Sequence, residues 1–223
     1  MPIIRFPHPE NSSPEGLLAV GGDLHPQSLL LAYRQGIFPW PVHDPDFPEK
    51  PPVLAWFCPQ QRAVLEFQEL HIPKSLEKAK RKCRFEFRID CDFKSVIEFC
   101  SAVPRPGQSG TWITEDIKQA YIKLHKMGYA HSFEAWENDQ LVGGLYGVAI
   151  DGTFAGESMF HKRDNASKLV IMELVNYFSS KGLTWIDIQT LTPHMKTLGA
   201  KEIPRAAFLQ LLKQTQLKGL QLF

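Results

Sequence analysis

Long apolar runs are missing: no segment approaches the roughly 18 apolar residues a membrane-spanning helix needs, and mean hydropathy is −0.21. The first residues, Met1-Pro2-Ile3-Ile4-Arg5-Phe6-Pro7, carry no basic stretch leading into an apolar core, so a secretory signal is not expected and a cytoplasmic location is. Charge of one sign is also missing. Lysine and arginine number 25 against 24 aspartates and glutamates, a net charge of +1. Any nucleic-acid surface must therefore be local. Cysteine is sparse: Cys58, Cys83, Cys91 and Cys100 form no C-x-x-C pair, and no histidine cluster completes a zinc site. Reduced thiols and no metal are expected. The sequence also lacks a P-loop, a G-x-S-x-G elbow, an H-E-x-x-H helix and a dinucleotide fingerprint.

What is present suffices for a core, since 43% of the 223 residues are hydrophobic. Most of the 17 prolines fall before residue 60. They confine that stretch to short elements, because proline lacks an N–H and restricts its predecessor. Residues 1–62 read as a small, irregular domain with short strands and one helix near Pro26–Gln35. Residues 63–223 read as a larger domain of alternating strands and helices. Strands are expected at 84–90, 131–137, 141–150, 153–160 and 184–190, and helices at 93–102, 114–127, 165–181, 193–199 and 204–216. Asp151-Gly152 is a hairpin signal, and Asn165 is read as the side-chain N-cap of the long helix. That helix is apolar on nearly every face, Glu173, Asn176 and Ser180 forming its narrow polar stripe. It reads as buried, and as one wall of an apolar pocket.

Three features could carry chemistry. Asp187 and Gln189 lie two apart on one strand, and Glu157 lies on another; acid beside amide in apolar strands needs partners. They form either a buried pair or ion pair, or a site for a cationic substrate. The glycines of Leu141–Gly147 sit inside a strand, where a substrate backbone could pass closely. Finally, Lys74, Lys78, Lys80, Arg81, Lys82 and Arg84 face a single acid, Glu77, across eleven positions. Such a run is either a solvated face or a phosphate-attracting surface.

The order strand, helix, helix, three antiparallel strands, helix, strand, helix resembles the fold of the GCN5-related N-acetyltransferases, an α/β (α+β) class. In coenzyme-A-dependent members a glycine-rich loop opens the central helix. Here that junction reads Lys162-Arg163-Asp164-Asn165-Ala166-Ser167-Lys168, without glycine and with an acid that would repel phosphate.

Short stretches along nearly the whole chain match a narrower group: Gly16–Leu24, Tyr33–Trp40, Thr111–Thr114, Ala130–Ser132, Leu141–Val148, Gly156–Phe160, Asn165–Lys168 and Leu198–Ala200. Together they resemble the leucyl/phenylalanyl-tRNA–protein transferases. That resemblance implies an aminoacyltransferase moving Leu or Phe, less well Met, from aminoacyl-tRNA to the α-amine of proteins beginning with Arg or Lys, marking them for N-degron degradation. It implies no cofactor and a monomer. Gly156, Glu157, Ser158 and Met159 with Leu145, Phe154, Ile171 and Leu174 would line the side-chain pocket. Asp187 and Gln189 would act on the attacking amine, Asp187 by polarising it. Trp56 and Trp112 would lie near the 3′ adenosine and acceptor, and Glu157 would hold an amino group of donor or acceptor. The basic run would meet the acceptor stem. The chain departs from the pattern at Phe57, Ile188 and Leu174. The alternatives are a coenzyme-A-dependent N-acetyltransferase and a non-enzymatic tRNA-binding module.

Overall fold

Proline and glycine keep the first elements of the computed structural model short. The structure describes residues 1–43, 50–103 and 111–223. In the small unit, β1 (Leu17–Val20), α1 (Pro26–Arg34), β2 (Phe38–Pro39) and β3 (Ala55–Phe57) follow in turn, the strands forming a three-stranded sheet in the order β1-β3-β2. His25 caps α1 through its side chain, and Pro26 fills the first turn, where its missing N–H costs nothing.

The rest is built on one seven-stranded sheet. In chain order its elements are β4 (Gln61–Glu66), α2 (Lys74–Lys82), β5 (Glu86–Ile89), α3 (Phe93–Ala102), α4 (Glu115–Lys126), β6 (Ala130–Glu137), β7 (Gln140–Ile150), β8 (Thr153–His161), α5 (Ala166–Ser180), β9 (Trp185–Gln189), α6 (Pro193–Thr197), β10 (Lys201–Pro204) and α7 (Arg205–Gln216). The strands lie in the order β10-β4-β9-β8-β7-β6-β5. All neighbours are antiparallel except β8 and β9, which are parallel and joined through α5. A parallel pair needs such a crossover, and its helix must cover one face of the sheet.

Turn chemistry fixes the hairpins. Asn138-Asp139 and Asp151-Gly152 all take positive φ, the twist-matched two-residue geometry. Asn165 does precede α5, but with φ 64° and no capping side-chain bond, so its tolerance of left-handed backbone is what is used there. β4 and β10, which the sequence reading did not separate, close one edge of the sheet.

Both faces are covered. Tyr33, Ile97, Tyr121, Tyr146 and Val148 belong to a core beneath α1, α3 and α4, together with Trp56 of the small unit. Leu65, Leu145, Phe154, Ile171, Leu174 and Ile186 belong to a second core, under α5 and α7. Central strands sealed on both sides explain why α5 is apolar almost all round.

Candidate active site

The parallel strands β8 and β9 meet at Ala155 opposite Asp187. Both are bulged just beyond that point. Gly147 pairs with Gly156 and Tyr146 with Ser158, which leaves Glu157 as the extra residue in β8. Likewise Val64 pairs with Asp187 and Ala63 with Gln189, leaving Ile188 extra in β9. A bulge bends its strand and re-aims a side chain. Here two bulges on adjacent strands bring Glu157 and Gln189 together: Gln189 Nε2 donates to Glu157 Oε1 at 2.6 Å. Gln189 itself has φ 57°, uncommon for a residue with a Cβ. Its N–H donates to Asp187 Oδ1 at 2.9 Å, which holds that turn.

Asp187 departs from the expectation that it polarises an amine. Its carboxylate receives a bidentate pair from Arg62, Nε to Oδ1 at 2.8 Å and Nη2 to Oδ2 at 2.6 Å. Arg62 is 1% exposed and Asp187 5%. The guanidinium lies 4.6 Å from the ring centres of both Phe38 and Phe208. Burial by itself would lower the Arg62 guanidinium, but the charge and hydrogen bonds of Asp187 outweigh it and the net shift is upward. Both oxygens of Asp187 are thus engaged by protein groups.

The second acid, Glu157, is half-buried. Its Oε1 lies 2.8 Å from the Tyr33 hydroxyl and its Oε2 3.2 Å from the Tyr121 hydroxyl, both at hydrogen-bonding distance, and the two tyrosine hydroxyls also hydrogen-bond each other. Enclosing the carboxylate raises its pKa to about 7; the bonds from Tyr33, Gln189 and Tyr121 pull it down, and the charge of Asp187 pushes it further up. Sequence reasoning missed Arg62, Tyr33 and Tyr121. Both tyrosines lie on the buried faces of their helices, among apolar residues, and only the need of a buried hydroxyl for a partner could have pointed to them.

The other expected residues separate into two groups. Gly156, Glu157, Ser158 and Met159 are half-buried, forming an accessible stretch of β8. Leu145, Phe154, Ile171 and Leu174 instead lie in the core behind it, each at most 5% exposed, and so present almost no open wall. Trp56 is fully buried, donates from Nε1 to the Gly21 carbonyl at 2.9 Å and packs edge-on to Phe6. The structure thus places Trp56 in the framework of the small unit. Trp112 is buried and stacked on the half-buried Trp40, centroids 4.7 Å apart at 16°. The basic run forms α2 and the residues after it. Lys74, Lys78, Arg81, Lys82 and Arg84 are exposed, whereas Lys80 pairs with Glu173 of α5 at 2.7 Å.

The strand glycines are now distinguishable. A Cβ on Gly147 would lie 2.7 Å from Phe154 Cε1, and one on Gly143 would lie 2.6 Å from the Ala166 Cβ, so internal packing demands both. Neither leaves room for the substrate backbone anticipated there. At Gly156 a Cβ would meet, among the described residues, only the Asp187 carbonyl oxygen, at 3.7 Å, an ordinary contact. No described residue crowds that position, so the space over Gly156 is open to a ligand. Gly156→Ala is therefore expected to keep wild-type thermal stability within about 0.5 kcal/mol while losing at least about tenfold in transfer. A variant transferring at the wild-type rate would return Gly156 to the framework.

Among the described residues no group of His, Cys, Asp and Glu could hold a metal ion, and no helix is long and apolar enough to cross a membrane.

In comparison with known proteins, residues 64–213 match the family described as leucyl/phenylalanyl-tRNA protein transferase. Residues 22–60 match the N-terminal domain of the same family. The chain is 46% identical to a leucyl/phenylalanyl-tRNA–protein transferase of Anaeromyxobacter sp. (strain K), over 98% of this chain and 95% of that protein. It is 47% identical to one of Nitratidesulfovibrio vulgaris (strain DP4), over 93% and 86%. Among solved structures it is similar to a functionally unknown conserved protein from Staphylococcus epidermidis ATCC 12228, with TM-score 0.44, 13% identity and coverage of 84% and 68%. A likeness that distant says nothing about chemistry.

Proposed function

Because the chain belongs to the leucyl/phenylalanyl-tRNA–protein transferase family and is an aminoacyltransferase, we propose that it moves Leu or Phe, and Met less well, from aminoacyl-tRNA to the α-amine of proteins beginning with Arg or Lys. The transfer marks those proteins for degradation, in the cytoplasm, by a monomer that needs no cofactor. Residues 1–62 and 63–223 are two units, a division supported by the two family matches, 22–60 and 64–213, with Gln61 and Arg62 going to the larger unit as the start of β4. The larger unit is GCN5-related in architecture; a single parallel pair joined through α5, in an otherwise antiparallel sheet, supports that assignment.

What supports the site most is the meeting of Glu157 and Gln189 beside the accessible stretch Gly156–Met159. Aminolysis of an aminoacyl ester is downhill, so the enzyme must chiefly orient two reactants, which supplies up to roughly 7–11 kcal/mol. The acceptor α-amine has a pKa of about 8 and must shed a proton to attack. Ionised Glu157 takes that proton. Gln189, an amide without useful basicity, aligns the nitrogen. The amine then forms the C–N bond, the ester C–O bond breaks, and the 3′ oxygen leaves as a hydroxyl carrying a proton. Met159 and Ser158 border the aminoacyl side chain, and Leu145, Phe154, Ile171 and Leu174 set the depth behind them. Trp112, braced by Trp40, borders the 3′ adenosine.

The test is direct. Labelled Phe-tRNA, or labelled acetyl-coenzyme A, is incubated with a protein starting with Arg, and the label at its N-terminus is read. Phenylalanine is expected; acetyl transfer, or tRNA binding with no transfer, would replace this reading with one of the alternatives. For the tRNA surface, neutralising the exposed Lys78, Arg81 and Lys82 together is expected to weaken tRNA binding. It should also reduce the slope of log affinity against log salt by about 2–3. An unchanged slope would make α2 a solvated face.

A further inference from the structure

Three oxygen–oxygen contacts close a ring inside the site. Tyr33 Oη meets Glu157 Oε1 at 2.8 Å, Tyr121 Oη meets Glu157 Oε2 at 3.2 Å, and the two hydroxyls meet each other. Each contact holds one proton between its oxygens. Burial first, and then the charge of Glu157, push both tyrosine hydroxyls well above their ordinary range, so each keeps its single proton. Two hydroxyls fill two contacts. The Gln189 amide does not fill the third, because its Nε2 bonds Oε1 from outside the ring and belongs to none of the three oxygen–oxygen contacts.

Charge leads to the same place. Among the described residues, the titratable groups that act on Glu157 are Tyr33 of α1, Tyr121 of α4, Asp187 of β9 and, from β4, Arg62. Arg62 is paired with Asp187. One guanidinium against two carboxylates leaves the enclosed group one negative charge in excess, unless Glu157 is neutral or a cation is bound. An isolated buried charge is costly, and a group so placed neutralises instead.

We propose that Glu157 is a protonated carboxylic acid in the empty site, closing a three-proton ring with Tyr33 and Tyr121, and that a substrate ammonium enters by displacing that proton. The ring then runs from Glu157 O–H to Tyr121, from Tyr121 O–H to Tyr33, and from Tyr33 O–H back to Glu157. When R–NH3⁺ binds, Glu–COOH becomes Glu–COO⁻ and one H⁺ goes to solvent. Both tyrosines then donate to the carboxylate, and their mutual contact opens. Tyr33 and Tyr121 are thus positioning residues for a proton. The ligand identity rests on the aminoacyl-transfer reading above. Since burial holds Glu157 near 7, the exchange falls in the neutral range. Affinity for an ammonium ligand should rise about tenfold per pH unit as pH increases toward that point, and fall again once the ligand's own amine, with a pKa of about 8, loses its proton.

The experiment is calorimetric titration with a short acceptor peptide beginning with Arg, no aminoacyl donor being present, near pH 6 and near pH 8, each in two buffers of different ionisation heat. Wild type should release close to one proton per ligand near pH 6 and fewer near pH 8; Glu157→Gln should release none. Binding near pH 6 without proton release overturns the exchange and leaves the transfer reading standing. No binding at all overturns the site reading itself. A ligand-free measurement stands beside it: infrared spectra near pH 6 should contain a protonated-carboxyl band that Glu157→Gln lacks, and absence of that band also overturns the proposal. Tyr33→Phe removes two of the three contacts and should move the pH midpoint of that band by about one unit or more. An unmoved midpoint would leave the tyrosines as packing alone.

Discussion

Replacing Gln189 by Ala is expected to slow single-turnover transfer from pre-bound Leu-tRNA by about 10²-fold or more, with tRNA affinity within a few-fold of wild type. The amide is not a base, so the effect must come from geometry. Its Nε2 is spent on Glu157, which fixes the amide plane and leaves Oε1 to accept an N–H of the incoming amine. Its backbone, at φ 57°, is tied by its own N–H to Asp187. Alanine at 189 removes the aligning acceptor and one of the bonds that holds Glu157, while the turn keeps its tie to Asp187. The rate of the chemical step should therefore fall without a matching loss of donor binding. That split between rate and affinity separates orientation of the amine from a general loosening of the site. Wild-type single-turnover rates would remove Gln189 from the chemistry.

Much of this architecture is written locally. The hairpins at Asn138-Asp139 and Asp151-Gly152, the stripe of α4, and the apolar α5 followed by Gly182 each follow from residue type and period. β10 carries little of that signal: Lys201-Glu202-Ile203-Pro204 is charged and ends in proline, and it pairs with β4 as an edge strand. Local pattern does not specify such a strand; the antiparallel partner does.

The site is legible to a different depth. Asp187, Gln189 and Glu157 stand out as polar residues in apolar strands, and the structure does gather them. Their division of labour was hidden, because it depends on two bulges and on residues distant in the chain. A regular strand would carry Glu157 on a pleat set by Gly156 and Ser158; the extra residue in β8 re-aims it. Arg62 lies 125 residues before its partner Asp187, and Tyr33 lies 124 before Glu157. Periodicity is blind to both separations. The depth of the pocket was equally hidden: apolar residues around a binding strand serve as open walls only where surface remains, and Phe154, Ile171 and Leu174 lie in the core behind it.

Arg62→Met is the substitution expected to cost most stability, about 3–5 kcal/mol, lowering the thermal midpoint by roughly 6–20 °C for a chain of this size. The cost arises because methionine leaves the buried Asp187 carboxylate without its two charge-assisted bonds. The guanidinium also spans three elements: β4 carries it, and it lies between Phe38 of β2 and Phe208 of α7. Removing it loosens the small unit from the sheet at the strand that adjoins the site. The double variant Arg62→Met/Asp187→Leu separates charge from packing. With the orphaned carboxylate gone, most of the lost stability should return, since a buried ion pair replaced by apolar groups of similar volume is close to neutral. Transfer should not return with it, because Gln189 then lacks the acceptor for its N–H and its left-handed backbone is released. Stability regained with activity still lost would identify the Arg62–Asp187 pair as the device that aims Gln189. A single Arg62→Met variant melting with wild type would mean that the pair carries no such load, and a double variant with full activity would free Gln189 from dependence on Asp187.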